Sequence, residues 1–217
     1  MKNKTAFTLA EILIALAVIG VIAAITVPAL IQNTQKQEYV SALQKAYSTL
    51  SQVTNQIIAE NGSPKGDEGW AKSNEHIYQL FLKYLSSIKT CEGNEGCFNQ
   101  LNKSGYKQLN GTRNANWNRE TYQRKFIFAD GMQGLIFAAD NLCEISNWGT
   151  ENLCGAFLID VNGEKQPNTI GRDVFFFAIK ENGLYPMGCD NEEDKCDDKH
   201  QGWSCACKVL REGAINY

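Results

Sequence analysis

FTLAEILIALAVIGVIAAITVPALI, Phe7 to Ile31, is the stretch whose reading decides the fold. It carries one charge, Glu11, among 25 residues dominated by apolar side chains. A helix rises about 1.5 Å per residue, so a segment of this length crosses the roughly 30 Å hydrocarbon of a bilayer. The leader before it, MKNKTA, holds Lys2 and Lys4, and the next basic residue is Lys36. That asymmetry leaves the leader in the cytoplasm and everything after about Gln32 outside. The chain reads as a single-pass protein of the cytoplasmic (inner) membrane with an extracytoplasmic head.

Two simpler readings compete. A secretory signal has an apolar core of roughly 7–15 residues and then a small-residue cleavage site, whereas this core is about twice as long and has no such site at its far end. An ordinary anchor does not place a carboxylate one turn inside its apolar start, because a charge in hydrocarbon costs several kcal/mol and is kept where it has a partner. Glu11 therefore calls for a partner.

A short basic leader, the small residue Ala6, Phe7-Thr8-Leu9-Ala10-Glu11, and an unbroken apolar helix with Gly20 and Pro28 resemble the prepilin-type leader of type IV pilins and type II secretion pseudopilins. The resemblance implies that a membrane prepilin peptidase cuts between Ala6 and Phe7 and methylates the new amine of Phe7. Glu11 then becomes the fifth mature residue, where the family's glutamate meets the amino terminus of a neighbouring subunit in a filament. It also implies that the helix loosens between Gly20 and Pro28 when subunits pack. Ala6 departs from the glycine usual at that position. The expected organisation is a leader over 1–6, a membrane segment over 7–31, an amphipathic continuation over 32–60 and a globular head over 61–217.

The remainder is of ordinary single-domain size, and 10% aromatic residues supply a core. A net charge of −3 gives no global basic character for nucleic acid. All eight cysteines, Cys91, Cys97, Cys143, Cys154, Cys189, Cys196, Cys205 and Cys207, lie in the exported part, where an oxidising compartment favours up to four disulfides.

From Gln32 to Ala59 the helical pattern continues without a breaker. Val40, Leu43, Tyr47, Leu50 and Ile57 form an apolar stripe with Thr54 in its one polar gap, so a single helix of about 80 Å runs from Phe7 to about Glu60. A stripe of this length packs on a sheet of the same chain rather than forming an independent coiled coil. Pro28 removes one backbone hydrogen bond inside the span and predicts a kink. Asn61-Gly62-Ser63-Pro64-Lys65-Gly66 ends the helix. A second helix is predicted from about Asn74 to Ser87, capped by Ser73, with Ile77, Leu80, Phe81, Tyr84, Leu85 and Ile88 on its apolar face. CEGNEGC, Cys91 to Cys97, reads as a loop closed by a local disulfide; zinc is the rival, disfavoured by the absence of a matching Cys or His pair.

Residues 103 to 125 bring Lys103, Lys107, Arg113, Arg119, Arg124 and Lys125 together with Tyr106, Trp117 and Tyr122. Cations mixed with aromatics can grip nucleic acid, but the stretch is short, and a solvated loop or subunit contact is the preferred reading. The period then changes to that of strands. Arg124–Ala129 and Gly134–Ala138 are joined by a turn at Asp130-Gly131-Met132-Gln133, and Phe157–Val161 and Val174–Lys180 follow. Cys143 and Cys154 flank a Trp148-Gly149 turn and can staple it. The fold class expected is α+β: a long helix packed on an antiparallel sheet in a disulfide-stapled head.

Ile159 to Ile179, IDVNGEKQPNTIGRDVFFFAI, and the closing CACKVLREGAINY resemble the C-terminal region of pseudopilin-like proteins. Related major pseudopilins hold calcium in a loop of this region, and Asp160, Asn162, Asn168 and Asp173 bear oxygens of the kind calcium uses. An Asx-turn, with Asp160 and Asn162 bonding their own backbone, is the preferred alternative, since no complete calcium-loop pattern is present. The last four cysteines surround an acidic stretch, Asp190 to Asp198, that reads as a solvated loop, a second calcium candidate or the mate of the cationic stretch on a neighbouring subunit. Cys205 and Cys207 stand two apart on an expected strand, so both point to one face and pair instead with Cys189 and Cys196, in an order left open.

No GxSxG, HExxH or phosphate-loop motif is present, and Cys205-Ala206-Cys207 is the sole redox candidate, so an enzyme is disfavoured. The resemblance therefore implies a structural pilin or pseudopilin subunit that acts by assembly, in a periplasmic or cell-surface filament. The alternative is a minor pilin whose head is an adhesin or DNA-capture module.

Overall fold

The computed structural model describes residues 8–85, 89–91, 96–98, 105–114, 124–147, 149–190 and 195–217. Three helices and ten strands are seen among them: α1 (Leu9–Asn61), α2 (Asn74–Tyr84) and α3 (Cys205–Glu212), with β1 (Lys89–Thr90), β2 (Tyr106–Lys107), β3 (Arg113–Asn114), β4 (Arg124–Ile127), β5 (Gln133–Ala138), β6 (Ile145–Asn147), β7 (Thr150–Leu153), β8 (Gly155–Asp160), β9 (Val174–Lys180) and β10 (Gly183–Pro186). The chain divides into two compact units, one ending at Glu38 and the other Tyr39–Tyr217, with α1 contributing residues to both.

In the first unit, the apolar side chains from Leu9 to Ile31 are exposed all round the helix. A helix apolar on every side and unburied by protein is matched to lipid. It is the one helix among the described residues long and apolar enough to cross a membrane.

In the second unit, Val40, Leu43, Ala46, Leu50, Val53 and Ile57 bury the apolar stripe of α1. Thr54 sits fully buried within it because its hydroxyl donates to the Leu50 carbonyl at 2.7 Å, leaving no unpaired polar group. Gly62, at φ +78°, closes the helix by donating its N–H to Ile58 O. Ser73 caps α2 through a 3.2 Å bond from the His76 N–H. α2 ends at Tyr84, short of the expected Ser87, where Leu85 turns extended and its N–H closes on Phe81 O; Ser86, Ser87 and Ile88 lie outside the described residues.

The main sheet is antiparallel, in the order β1-β4-β5-β8-β9-β10. Its alternating side chains separate into two cores. Phe126, Ile136, Phe157, Ile159, Phe175, Phe177 and Ile179 share one with α1, α2 and α3. Here Tyr47 of α1 stacks on Phe177 at 5.6 Å, and Phe81 of α2 meets Phe157 edge-on at 4.9 Å. Leu135, Ala156, Leu158, Val174, Phe176 and Ala178 face the other, which is closed by Phe98, Tyr106, Met187 and Trp203. β8 is therefore buried at all six positions and reads as a continuous apolar run. It begins at Gly155 and ends at Asp160, where the sequence places Phe157–Val161. β4 stops at Ile127 and β5 starts at Gln133. At their pairing, Phe126 lies opposite Gly134 and its ring fills the place of a Cβ.

Candidate functional site

Helix α1 opens with Thr8 and Glu11 in reciprocal contact. The Thr8 N–H and hydroxyl each donate to Glu11 Oε2 at 2.8 Å, and the Glu11 N–H donates to Thr8 Oγ1 at 3.3 Å. This is a capping box, in which an N-cap hydroxyl and the carboxylate three residues on satisfy free N–H groups at the helix start. The motif Thr-x-x-Glu was legible at Thr8-Leu9-Ala10-Glu11, yet sequence reasoning missed Thr8 as a partner for Glu11. Gly20 has open space around it, and Pro28 lies inside the unbroken span of α1. Ala6 and Phe7 lie outside the described residues.

A second polar constellation lies in the head, where the β8–β9 connection folds back. Asp160 is buried and accepts the Tyr106 hydroxyl at 2.8 Å and the Asn162 N–H at 3.3 Å, the latter being the Asx-turn read from the sequence. Asp173, fully buried, accepts the backbone N–H groups of Asn168 at 2.7 Å and Thr169 at 2.6 Å. The Asn162 Nδ2 donates to Tyr39 Oη and Gln166 O. Asn168 thus meets Asp173 through its backbone, and its side-chain Nδ2, like Asn162 Oδ1, is buried without a hydrogen-bond partner among the described residues. Burial pushes the Asp173 carboxyl up to about 6 against the pull of those N–H groups. Burial, with the charge of Asp173 behind it, holds Asp160 well above the usual carboxylate range, and burial next to Asp160 raises the Tyr106 hydroxyl. Among the described residues, no three His, Cys, Asp or Glu side chains gather as a metal cluster.

All eight cysteines are paired: Cys91–Cys97, Cys143–Cys154, Cys189–Cys207 and Cys196–Cys205. Cys143–Cys154 staples the β6–β7 hairpin; Trp148 lies outside the described residues. Cys205 and Cys207 are on helix α3 rather than a strand, a correction to the sequence reading. Cys-Ala-Cys fits a period of two, but after it Lys208, Leu210, Arg211 and Glu212 are good helix formers, closed by Gly213 in a left-handed conformation. Two positions on a helix are about 200° apart, so the thiols diverge toward different partners.

Of the cationic stretch, Arg124 Nε pairs with Glu75 Oε2 at 2.7 Å, and Lys125 is buried at 3% exposure with its carbonyl accepting the Tyr78 hydroxyl. Lys103, Trp117, Arg119 and Tyr122 lie outside the described residues. In the acidic stretch, Asp190 accepts from Lys180 Nζ at 2.5 Å, Thr150 Oγ1 at 2.8 Å and the Glu151 N–H, tying β9 to β7.

Residues 1–27 match the family described as a prokaryotic N-terminal methylation motif. No curated protein and no solved structure matches the chain.

Proposed function

We propose, from a chain that carries the N-terminal methylation motif that is the hallmark of type IV pilins and pseudopilins, that it is a structural subunit of a type IV pilus or type II secretion pseudopilus. In this reading prepilin peptidase cuts between Ala6 and Phe7 and methylates the Phe7 amine. The leader lies in the cytoplasm and the head outside, and the subunit joins a periplasmic or cell-surface filament by packing its apolar helix against its neighbours. Glu11 meets the neighbour's amine, giving up its contact with Thr8. The observation that carries the reading is the match over residues 1–27, continued by a helix exposed and apolar on every side.

The test is the intact mass and N-terminal sequence of the protein recovered from membranes that contain the native peptidase. A start at methylated Phe7 is expected. A start at Met1 or beyond Ile31 would overturn it.

An adhesive or DNA-capturing head on the same anchor is the competing reading. The ion pair of Arg124 and the burial of Lys125 weigh against it, since cations engaged within the head are not offered to phosphates. Salt-dependent retention of the full chain on immobilised DNA would favour it.

Calcium is proposed as a further component of the head. An acceptor with no donor, Asn162 Oδ1, lies beside two buried carboxylates whose protonation is favoured by burial, and an oxygen-seeking cation answers both features. Asp160, Asp173 and Asn162 would hold it, and it would supply the positive charge the pair lacks.

A further inference from the structure

The disulfides of the head follow two different patterns along the chain. Cys91–Cys97 and Cys143–Cys154 each join a cysteine to the next one in sequence. The last four do not: Cys189–Cys207, with a separation of 18, encloses Cys196–Cys205, with a separation of 9. The shortest loop open to these four thiols, apart from the adjacent Cys205 and Cys207, is the non-native Cys189–Cys196. The probability of closing a flexible loop falls roughly as the three-halves power of its length, so, with the Cys205–Cys207 pair set aside, about two-thirds of first closures among the four are non-native, Cys189–Cys196 foremost. That bridge has to be exchanged before both native ones can form. It leaves Cys205 and Cys207, which diverge on one turn of α3 and cannot join each other.

Release has to come early. Cys196 and Cys205 end at 1% and 0% exposure in the same core as Ala206, Val209 and Ile215, where no thiolate reaches them. We propose that the head matures through a thiol–disulfide exchange step and that its partner there is a disulfide isomerase with an exposed, reactive dithiol. This rests on the head being oxidised outside the cytoplasm.

The isomerase thiolate attacks Cys189 Sγ in the Cys189–Cys196 bridge, forming a mixed disulfide and releasing the Cys196 thiolate. The Cys207 thiolate then attacks Cys189 Sγ, forming Cys189–Cys207 and regenerating the isomerase thiolate. The exchange is redox-neutral. Separately, Cys196 and Cys205 lose two electrons and two protons to an oxidising disulfide, which becomes a dithiol.

The test is reoxidation of the full-length chain in detergent, reduced and denatured, in a glutathione redox buffer with and without a purified bacterial disulfide isomerase. Alkylation and peptide mass mapping follow each bridge. The Cys189–Cys196 peptide is expected early without isomerase, and the isomerase should raise the early yield of the two native bridges about threefold, since about one-third of first closures are native. A Cys189→Ser/Cys207→Ser variant, and separately Cys196→Ser/Cys205→Ser, should lose this dependence, because one pair alone has no wrong partner in the segment. Absence of the Cys189–Cys196 peptide, equal native yields with and without isomerase, or an isomerase effect on the double variants as large as on the unsubstituted chain overturns the proposal. None of these outcomes depends on cellular location, so a failure here is distinct from a failure of the export reading, which the N-terminal mass reports.

Discussion

The Tyr106 hydroxyl donates to Asp160 Oδ2 at 2.8 Å with both side chains sealed inside the head, at 2% and 1% exposure. The bond holds a carboxylate that also feels buried Asp173. An aspartate in the unfolded chain titrates near 3.9, whereas folded Asp173 titrates at about 6. The folded state therefore binds the proton more tightly. That stabilisation is complete below about pH 4 and is lost as pH rises through about 6. Carboxyls held low by their partners, such as Asp140 and Asp190, are already ionised above pH 5 and leave this window untouched. With divalent cations chelated, the head should gain about 1–2 kcal/mol between pH 8 and pH 5 from Asp173 alone, a shift of several degrees in Tm by circular dichroism. A Tm that falls over that interval would mean the acids are ionised and well paired.

If the head holds calcium as proposed, the sign is reversed. Its ligands must be deprotonated, so its stabilisation is greatest at pH 8 and fades toward pH 5. At pH 8, calcium at about 100 times its Kd should raise stability by roughly 2.7 kcal/mol over the chelated protein, and Asp173→Asn should abolish the response. An unchanged Tm on adding millimolar calcium at pH 8 would remove the ion from the account.

Phe157 is fully buried where β8 meets α2, edge-on to Phe81 at 4.9 Å and to Phe126 at 6.3 Å. Phe157→Ala should cost about 3–5 kcal/mol, combining lost burial with a cavity that rigid neighbours cannot close. Chemical denaturation followed by Trp fluorescence measures it; a loss below 1 kcal/mol would mean that the helix–sheet contact is loosely packed.

Gly134 leaves room for the Phe126 ring across the β4–β5 pair. Gly134→Ala should destabilise by about 1–3 kcal/mol through overpacking. Phe126→Leu should recover part of that loss in the double variant, although it is destabilising alone. Strict additivity in the four-member cycle would show that the ring moves aside freely.

Thr8→Ala and Glu11→Gln separate the capping box from assembly. Thr8→Ala removes the two bonds made by the Thr8 hydroxyl, at about 1 kcal/mol of helix-end stability, whereas Glu11→Gln keeps an amide oxygen that can accept in the box and removes the charge. If Glu11 meets a neighbour's amine, Glu11→Gln should abolish sedimentable filaments while Thr8→Ala retains them. Equal loss in both variants would trace the requirement to the helix end itself.

The apolar span, the amphipathic stripe of α1, the Ser73 cap and the strand β9 were legible because each rests on a local period or cap visible within a few residues. The resemblance carried by Phe7 to Pro28 was legible for the same reason. The sheet's second covered face was not. β8 and β9 were read as strands covering a helix, but the Phe98, Tyr106, Met187 and Trp203 that close their other side come from segments far apart in sequence. Cys205 and Cys207 misled because a spacing of two fits a strand, while Gly213 and the residues before it decide for a helix.

By itself, then, the sequence determined a membrane-matched helix with a carboxylate at its start, an α+β head and the number of half-cystines. Only the tertiary structure decided that Cys189 joins Cys207 around Cys196–Cys205 and that Asp160, Asp173 and Tyr106 are sealed together. Periodicity and capping act over neighbouring residues and leave a trace in the local sequence. Pairing order and the burial of charge depend on which distant segments the closed core brings into contact.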